Sequence, residues 1–263
     1  MDKNRIVIKV GTSSLTHENG KINIGSMEKL VRVISDLKNS GKEVVLVSSA
    51  AIAVGQNRLG LKSRPTKTRE KQATAAVGQC DLMAMYSKLF HEYGWNVAQI
   101  LLTRDCIDDQ TRRLNAVNTL ECLFEMGAVP IINENDTVST EELVFGDNDR
   151  LSAMVAAAIE ADILVILTDI QGLYDSNPKQ NGNARLISRV DEITDKIYEI
   201  AGGAGTSRGT GGMKTKIEAA EYATERAIDT IVMCGNDPSD IYKIFEGQKI
   251  GTLFKAKGGN NRD

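Results

Sequence analysis

Short apolar segments of strand length alternate with helical patterns along nearly the whole chain, and this alternation restricts the fold more than any other feature. Residues 5–10 (RIVIKV), 43–48 (EVVLVS), 97–102 (VAQILL), 128–133 (AVPIIN), 163–169 (ILVILTD) and 229–234 (DTIVMC) read as strands, with a last one at 251–254. A helix is predicted over 26–41, where Met27, Leu30, Val31, Ile34 and Leu37 share a face and Gly41 ends the pattern. Further helices are expected at 49–60, 69–93, 109–126, 149–160, 191–201 and 213–227, with a short one from Pro238 and a hairpin around 137–146. The segment 163–169 is apolar almost throughout, as a central parallel strand should be. The pattern implies an α/β fold, a three-layer αβα sandwich on a mostly parallel sheet, with sites at the carboxyl ends of the strands.

The length of 263 residues suits one large α/β domain or two small ones. A formal charge of −3 gives no general attraction to nucleic acid, so phosphate binding must be local. No apolar run approaches the roughly 20 residues needed to span a bilayer, and the first residues lead directly into a strand. No nucleic-acid or membrane partner is expected, and the cytoplasm is the expected compartment. The polar tail 258–263 is expected to be disordered.

The four cysteines have no CxxC or metal-site spacing, and Cys80 and Cys122 fall within helical patterns as expected small core residues. With two histidines and no GxSxG, a histidine metal site or a Ser–His–Asp hydrolase is disfavoured. Chemistry must rest on lysines, carboxylates, amides and backbone donors.

The polar residues at the strand ends are the candidates. Lys9 lies between Ile8 and Val10, so it must snorkel or meet a negative partner; an edge-strand lysine facing solvent is the alternative. Ser49 is either an N-cap or a donor aimed at a carboxylate. Asn133, Asn135 and Asp136 form either a turn or a site for a zwitterion, with Asp136 on an ammonium and the amides on carboxyl oxygens. Within GDND (146–149) one of Asp147, Asn148 and Asp149 is expected to cap the following helix. Asp149 is placed to hold lysines in register or to approach a metal ion. Thr168 and Asp169 either bond a nucleotide or cap a turn.

GTGGMKTK (Gly209 to Lys216) runs as a glycine loop into a helix. Glycines let backbone N–H groups approach an anion, and a helix N-terminus adds unpaired donors and partial positive charge. Lys214 and Lys216 sit where the helix dipole disfavours cations, which makes sense if a polyanion docks there; a surface loop with solvated lysines is the alternative. Two apart on a helix, they face different sides, and spacing does not say which acts. No GxxxxGK[ST], strand-following GxGxxG or protein-kinase motif set is present.

With these residues in view, the chain resembles the amino acid kinase family from about Arg5 to Phe254. IVIKVGTSSLT, LVSSAAIAVG, AAVGQCDLM, ILLTRDCIDD, PIINENDTV, FGDNDRLSAMVA, LTDIQGLYDSNP and GTGGMKTK occur in the family's order. PIINENDTV and FGDNDRLSA resemble its glutamate-phosphorylating members in particular. The resemblance implies ATP-dependent phosphorylation of the L-glutamate side-chain carboxylate to L-glutamyl 5-phosphate, the first step of proline synthesis. It implies Mg²⁺ carried mainly by the ATP phosphates, without protein metal ligands, and feedback inhibition by L-proline. By the same resemblance, Lys9 and Lys216 bind phosphate and Asp149 positions them. Ser49, Asp136 and Asn148 contact glutamate, with Asn133 nearby. Lys9, Thr168, Asp169, Thr210, Gly211, Gly212, Met213, Lys214, Thr215 and Lys216 hold ATP. One domain over 1–257 is implied, its N-terminal part binding glutamate and its part from about residue 163 binding ATP, in a homo-oligomer, dimer or tetramer.

Three departures stand out. SSAA replaces the family's usual TSGA, so Ala50 stands for a glycine and is expected to tighten the glutamate pocket or shift the backbone. Lys214 replaces a small polar residue and adds charge near ATP. Many relatives carry a C-terminal PUA domain, and the form expected here lacks it.

Overall fold

The structure, a computed structural model, describes residues 4–139, 148–178, 180–202 and 212–257. In chain order the elements are β1 (Arg5–Val10), α1 (Thr12–Leu15), α2 (Ile24–Asn39), β2 (Glu43–Val47), α3 (Ala51–Arg58), α4 (Thr68–His91), β3 (Val97–Leu102), α5 (Arg104–Asp108), α6 (Gln110–Glu125) and β4 (Val129–Glu134). They continue with α7 (Asp149–Ala158), β5 (Ile163–Thr168), β6 (Arg189–Val190), α8 (Asp195–Ala201), α9 (Met213–Thr224), β7 (Asp229–Cys234), a 3₁₀ turn at Pro238–Asp240, α10 (Ile241–Phe245) and β8 (Thr252–Phe254). The expected hairpin at 137–146 lies mostly, and the tail 258–263 wholly, outside the described residues.

The sheet order is β3-β4-β2-β1-β5-β7-β8-β6, and among the described strands only the β7–β8 pair is antiparallel. β1 is central, between β2 and β5, which excludes the edge-strand reading of Lys9. From β1 the chain builds one half-sheet through β2, β4 and β3, then returns to β1's other side with β5. That reversal is the switch point beside which ligands of open α/β sheets bind.

Alternation along β1 sorts its side chains between two cores. Ile6, Ile8 and Val10 face a layer with Met27, Leu30 and Ile34 of α2 and Tyr86 and Phe90 of α4. Val7 faces the other layer, with Met154 and Val155 of α7 and Ile217 and Ala220 of α9. Lys9 shares the parity of Val7, so it is directed to the α7–α9 side.

α2 begins two residues before the predicted start because Asn23 caps it, accepting from the Ser26 N–H at 3.1 Å. The helix expected over 109–126 is α6, capped by Asp109, whose carboxylate accepts from Arg112 N–H at 2.8 Å; the short α5 before it was not expected, and the extended backbone of Asp109 separates the two. The helix expected at 191–201 begins only at Asp195, after Thr194, whose extended backbone occupies the N-cap position. Cys80 and Cys122 are exposed, contrary to the core expectation. The inner face of α4 is formed by Thr74, Ala75, Gly78, Leu82, Tyr86 and Phe90, and α6 fully buries only Leu120.

α3 and α4 meet backbone to backbone. A Cβ at Gly78 would stand 1.8 Å from the Ala51 carbonyl oxygen, and one at Gly55 1.9 Å from that of Thr74. Only glycine allows this approach. It places the start of α3, which follows β2, against the middle of α4.

Candidate active site

At the switch point a fully buried carboxylate joins two buried lysines. Asp149 opens α7, where a negative charge suits the helix N-terminus. Its Oδ1 lies 2.5 Å from Lys9 Nζ and its Oδ2 2.9 Å from Lys216 Nζ. Lys9 is 3% exposed, Lys216 6% and Asp149 0%. Burying one charge alone is costly, and mutual pairing offsets that cost. Both ammonium groups bear on this one carboxylate, one on each of its oxygens. The Thr215 hydroxyl is directed at Asp149 Oδ2 (3.1 Å) and the Gly212 carbonyl (2.9 Å), securing the carboxylate from the first turn of α9. The structure also distinguishes the two α9 lysines. Lys216 faces inward onto Asp149, whereas Lys214 is exposed and lies 3.9 Å from Glu218.

A second cluster, built of amides, lies at the ends of β2 and β4. Asn148 Nδ2 donates to the Ser48 carbonyl at 2.5 Å and to Asn133 Oδ1 at 2.7 Å, with Ser49 Oγ at 3.3 Å. Asn133 Oδ1 also accepts from the Glu134 N–H at 2.9 Å, and its Nδ2 donates to Gln79 Oε1 at 2.7 Å. Asn148 occupies the N-cap position of α7, yet its side chain makes no capping bond because it is engaged here. Ser49 is not the N-cap of α3. That position belongs to Ala50, with φ +81° and ψ 4°, the left-handed region that favours glycine. Alanine here holds a conformation that glycine adopts without strain. Beneath the cluster, Ser48 Oγ and the Tyr86 hydroxyl are 3.0 Å apart, and burial pushes the Tyr86 phenol well above its ordinary pKa, so it stays neutral.

Among the remaining candidates, Asp136 is half-buried in the turn after β4. Thr168, buried at the end of β5, directs its hydroxyl to the exposed Asp169 at 3.2 Å, and its carbonyl accepts from Gly235 N–H. Gly212 stands at the N-cap of α9 and Met213 is buried behind it. Thr210 and Gly211 lie outside the described residues. Sequence reasoning missed Gln79; its only signal is a polar residue on the inner side of a helix whose neighbours are Ala75, Gly78 and Leu82. Among the described residues no cluster of three or more His, Cys, Asp or Glu side chains could hold a metal ion, and no helix is long and apolar enough to cross a membrane.

The parallel sheet, the switch-point lysines on one carboxylate and the adjoining amide cluster define a small-molecule kinase of the amino acid kinase fold. Solved structures share this architecture: isopentenyl phosphate kinase of T. acidophilum (TM-score 0.65, 19% identity, 96% of this chain and 100% of that one) and UMP kinase of Bacillus anthracis (TM-score 0.66, 16% identity, 97% of each). At these identities they speak for the fold alone. The amino acid kinase family matches residues 4–234. The glutamate 5-kinase of Clostridium perfringens is 53% identical over 98% of this chain and 97% of its own length, and that of Listeria monocytogenes 52% over 96% and 93%. The glutamate 5-kinase of Caldanaerobacter subterraneus, 51% identical, is longer, with 67% of it covered. The chain belongs to the amino acid kinase family and, within it, to the glutamate 5-kinases.

Proposed function

We propose that the chain transfers the terminal phosphoryl group of ATP to the side-chain carboxylate of L-glutamate, forming L-glutamyl 5-phosphate at the start of proline synthesis. The carrying observation is the convergence of the buried Lys9 and Lys216 on the buried carboxylate of Asp149. Phosphoryl transfer asks a protein mainly for positioning and charge stabilisation, and two ammonium groups in fixed register provide both. The acceptor carboxylate is already ionised at pH 7, so no general base is required.

In this reading Lys9 and Lys216 hold oxygens of the transferring group, and Asp149, steadied by Thr215, sets their separation. Ser49, Asn133, Asp136 and Asn148 form the glutamate side of the site. Thr168, Asp169 and the start of α9 form the nucleotide side, with Lys214 at its solvent edge. The donor set suits phosphate oxygens, and Mg²⁺ arriving with ATP supplies charge neutralisation between phosphates when bound. The N-terminal part through α7 serves glutamate and the part from about residue 163 serves ATP, within one domain. A cytoplasmic homo-oligomer, dimer or tetramer, inhibited by L-proline completes the proposal.

A substrate panel with ADP detection tests the reading: L-glutamate, acetylglutamate, aspartate and nucleoside monophosphates, with and without proline. Turnover of L-glutamate is expected, and turnover confined to another acceptor would refute it.

A further inference from the structure

Helix α4 carries three polar side chains at intervals of seven, Gln72, Gln79 and Tyr86, in a helix otherwise buried through small and apolar residues. Residues seven apart lie on one helical face, drifting only about 20° per step. Each meets a different segment at the carboxyl end of the sheet. Gln72 Nε2 lies 3.4 Å from the Ser139 carbonyl after β4, Gln79 holds Asn133 on β4, and Tyr86 pairs with Ser48 after β2. α4 thus touches both strand ends from which the glutamate side of the site is built.

The amide orientations in this cluster follow from its two backbone anchors. The Ser48 carbonyl can only accept, so Asn148 must turn its nitrogen toward it. The same nitrogen donates to Asn133, which must present its oxygen; the Glu134 N–H, which can only donate, requires that oxygen too. Asn133 is then left with its nitrogen toward α4, and Gln79 must present Oε1. The relay has one consistent polarity, and Gln79 is its end. It leaves the carbonyl oxygen of Asn148 as that side chain's remaining polar atom.

We propose that Gln79 is a positioning residue for glutamate, fixing through Asn133 the orientation in which Asn148 meets the substrate. The inference rests on the assignment of this cluster to glutamate. A residue that merely ties α4 to β4 would change stability; one that orients the substrate amides changes glutamate recognition and leaves ATP recognition alone.

The test is steady-state ADP release by the full chain with each substrate varied. Gln79→Met keeps side-chain length and removes the acceptor. It is expected to raise the glutamate KM about tenfold, the scale of one lost hydrogen bond, with the ATP KM within about threefold of the parent. Because Gln79 acts through Asn133, adding Gln79→Met to Asn133→Ala should change kcat/KM for glutamate by less than about twofold. Gln79→Leu serves if the methionine variant fails to fold. Gln79→Glu, which keeps an accepting oxygen, should bind glutamate better than either. An unchanged glutamate KM, equal rises in both KM values, additive losses in the double variant, or a Gln79→Glu enzyme worse than the apolar ones would each overturn the proposal. If the parent protein itself does not turn over glutamate, the assignment of the site fails instead.

Discussion

Replacing Asp149 by asparagine isolates the electrostatics of the site, because the side chain keeps its shape and loses only its charge. Lys9 and Lys216, 3% and 6% exposed, would then face a neutral amide, and the site would lose one negative charge. Breaking a buried pair by removing one partner costs about 3–5 kcal/mol. An independent ceiling comes from protonation: one lysine can shed its proton, and neutralising an ordinary lysine at pH 7 costs about 4.6 kcal/mol. The two figures agree. For a domain of this size, about 2–4 °C of Tm follows each kcal/mol, so Tm should fall by roughly 6–20 °C. If a proton is shed, the folded variant binds fewer protons than its unfolded chain, so its deficit against the parent narrows as pH rises above 7. On the proposed reading the uncompensated lysines lie where the phosphates of ATP dock. MgATP should therefore raise the Tm of Asp149→Asn more than that of the parent, even as turnover drops about a hundredfold or more. Scanning fluorimetry with and without MgATP, alongside ADP release, reads all of these. A Tm within about 2 °C of the parent, set against that 3–5 kcal/mol, or a smaller rise on adding MgATP, would refute the reasoning.

The other expectations concern single positions. Lys9→Ala and Lys216→Ala should each lower kcat by about a hundredfold or more, the scale for a lost transition-state charge contact, and near-normal turnover in either would remove it from the mechanism. Gly78→Ala would set a methyl 1.8 Å from the Ala51 carbonyl and 2.5 Å from Gly55 N. Forcing α3 off α4 should cost about 1–3 kcal/mol in urea unfolding and raise the glutamate KM, since both helices adjoin the amide cluster; an unperturbed protein would contradict the packing. At Ala50, relief of about 1–2 kcal/mol of left-handed strain by glycine roughly cancels the added chain entropy and the lost buried methyl. Ala50→Gly should then be neutral within about 1 kcal/mol, whereas a β-branched Ala50→Val should lose more than about 2 kcal/mol; equal stabilities for the two would dispose of the strain.

Much of the fold was legible because its strands are the simplest signal a chain carries. β5 is an apolar run as far as Thr168 and β1 is apolar from Ile6 but for Lys9, and the sheet buries both almost completely. What periodicity could not show were interruptions made by one backbone. The short α5 went unexpected because the extended Asp109, whose carboxylate caps α6, ends it after a single turn and leaves too few residues for a period to show. Cys80 and Cys122 were misplaced for a related reason: α4 and α6 have weak amphipathic patterns, so their inner faces depend on tertiary neighbours. The α4 face is set by glycine contacts with α3, which no period within α4 reveals. Gln79 escaped notice because its partner stands 54 residues further on.

The lysine-carboxylate trio was legible one residue at a time, but its convergence was not. Its members come from positions 9, 149 and 216, and each is aimed by a different local rule. Strand parity sends Lys9 toward the α7–α9 layer; a one-residue register shift in β1 would turn it into the α2–α4 core instead. Asp149 is placed by a helix start that favours an anion, while Lys216 occupies a helix start that disfavours a cation. The last placement is tolerable when the Asp149 carboxylate stands opposite. Lys216 therefore has little reason to be inward until β1, α7 and α9 are all docked. Contacts of such sequence separation form late because loop closure opposes them, so this trio should be among the last parts of the molecule to consolidate.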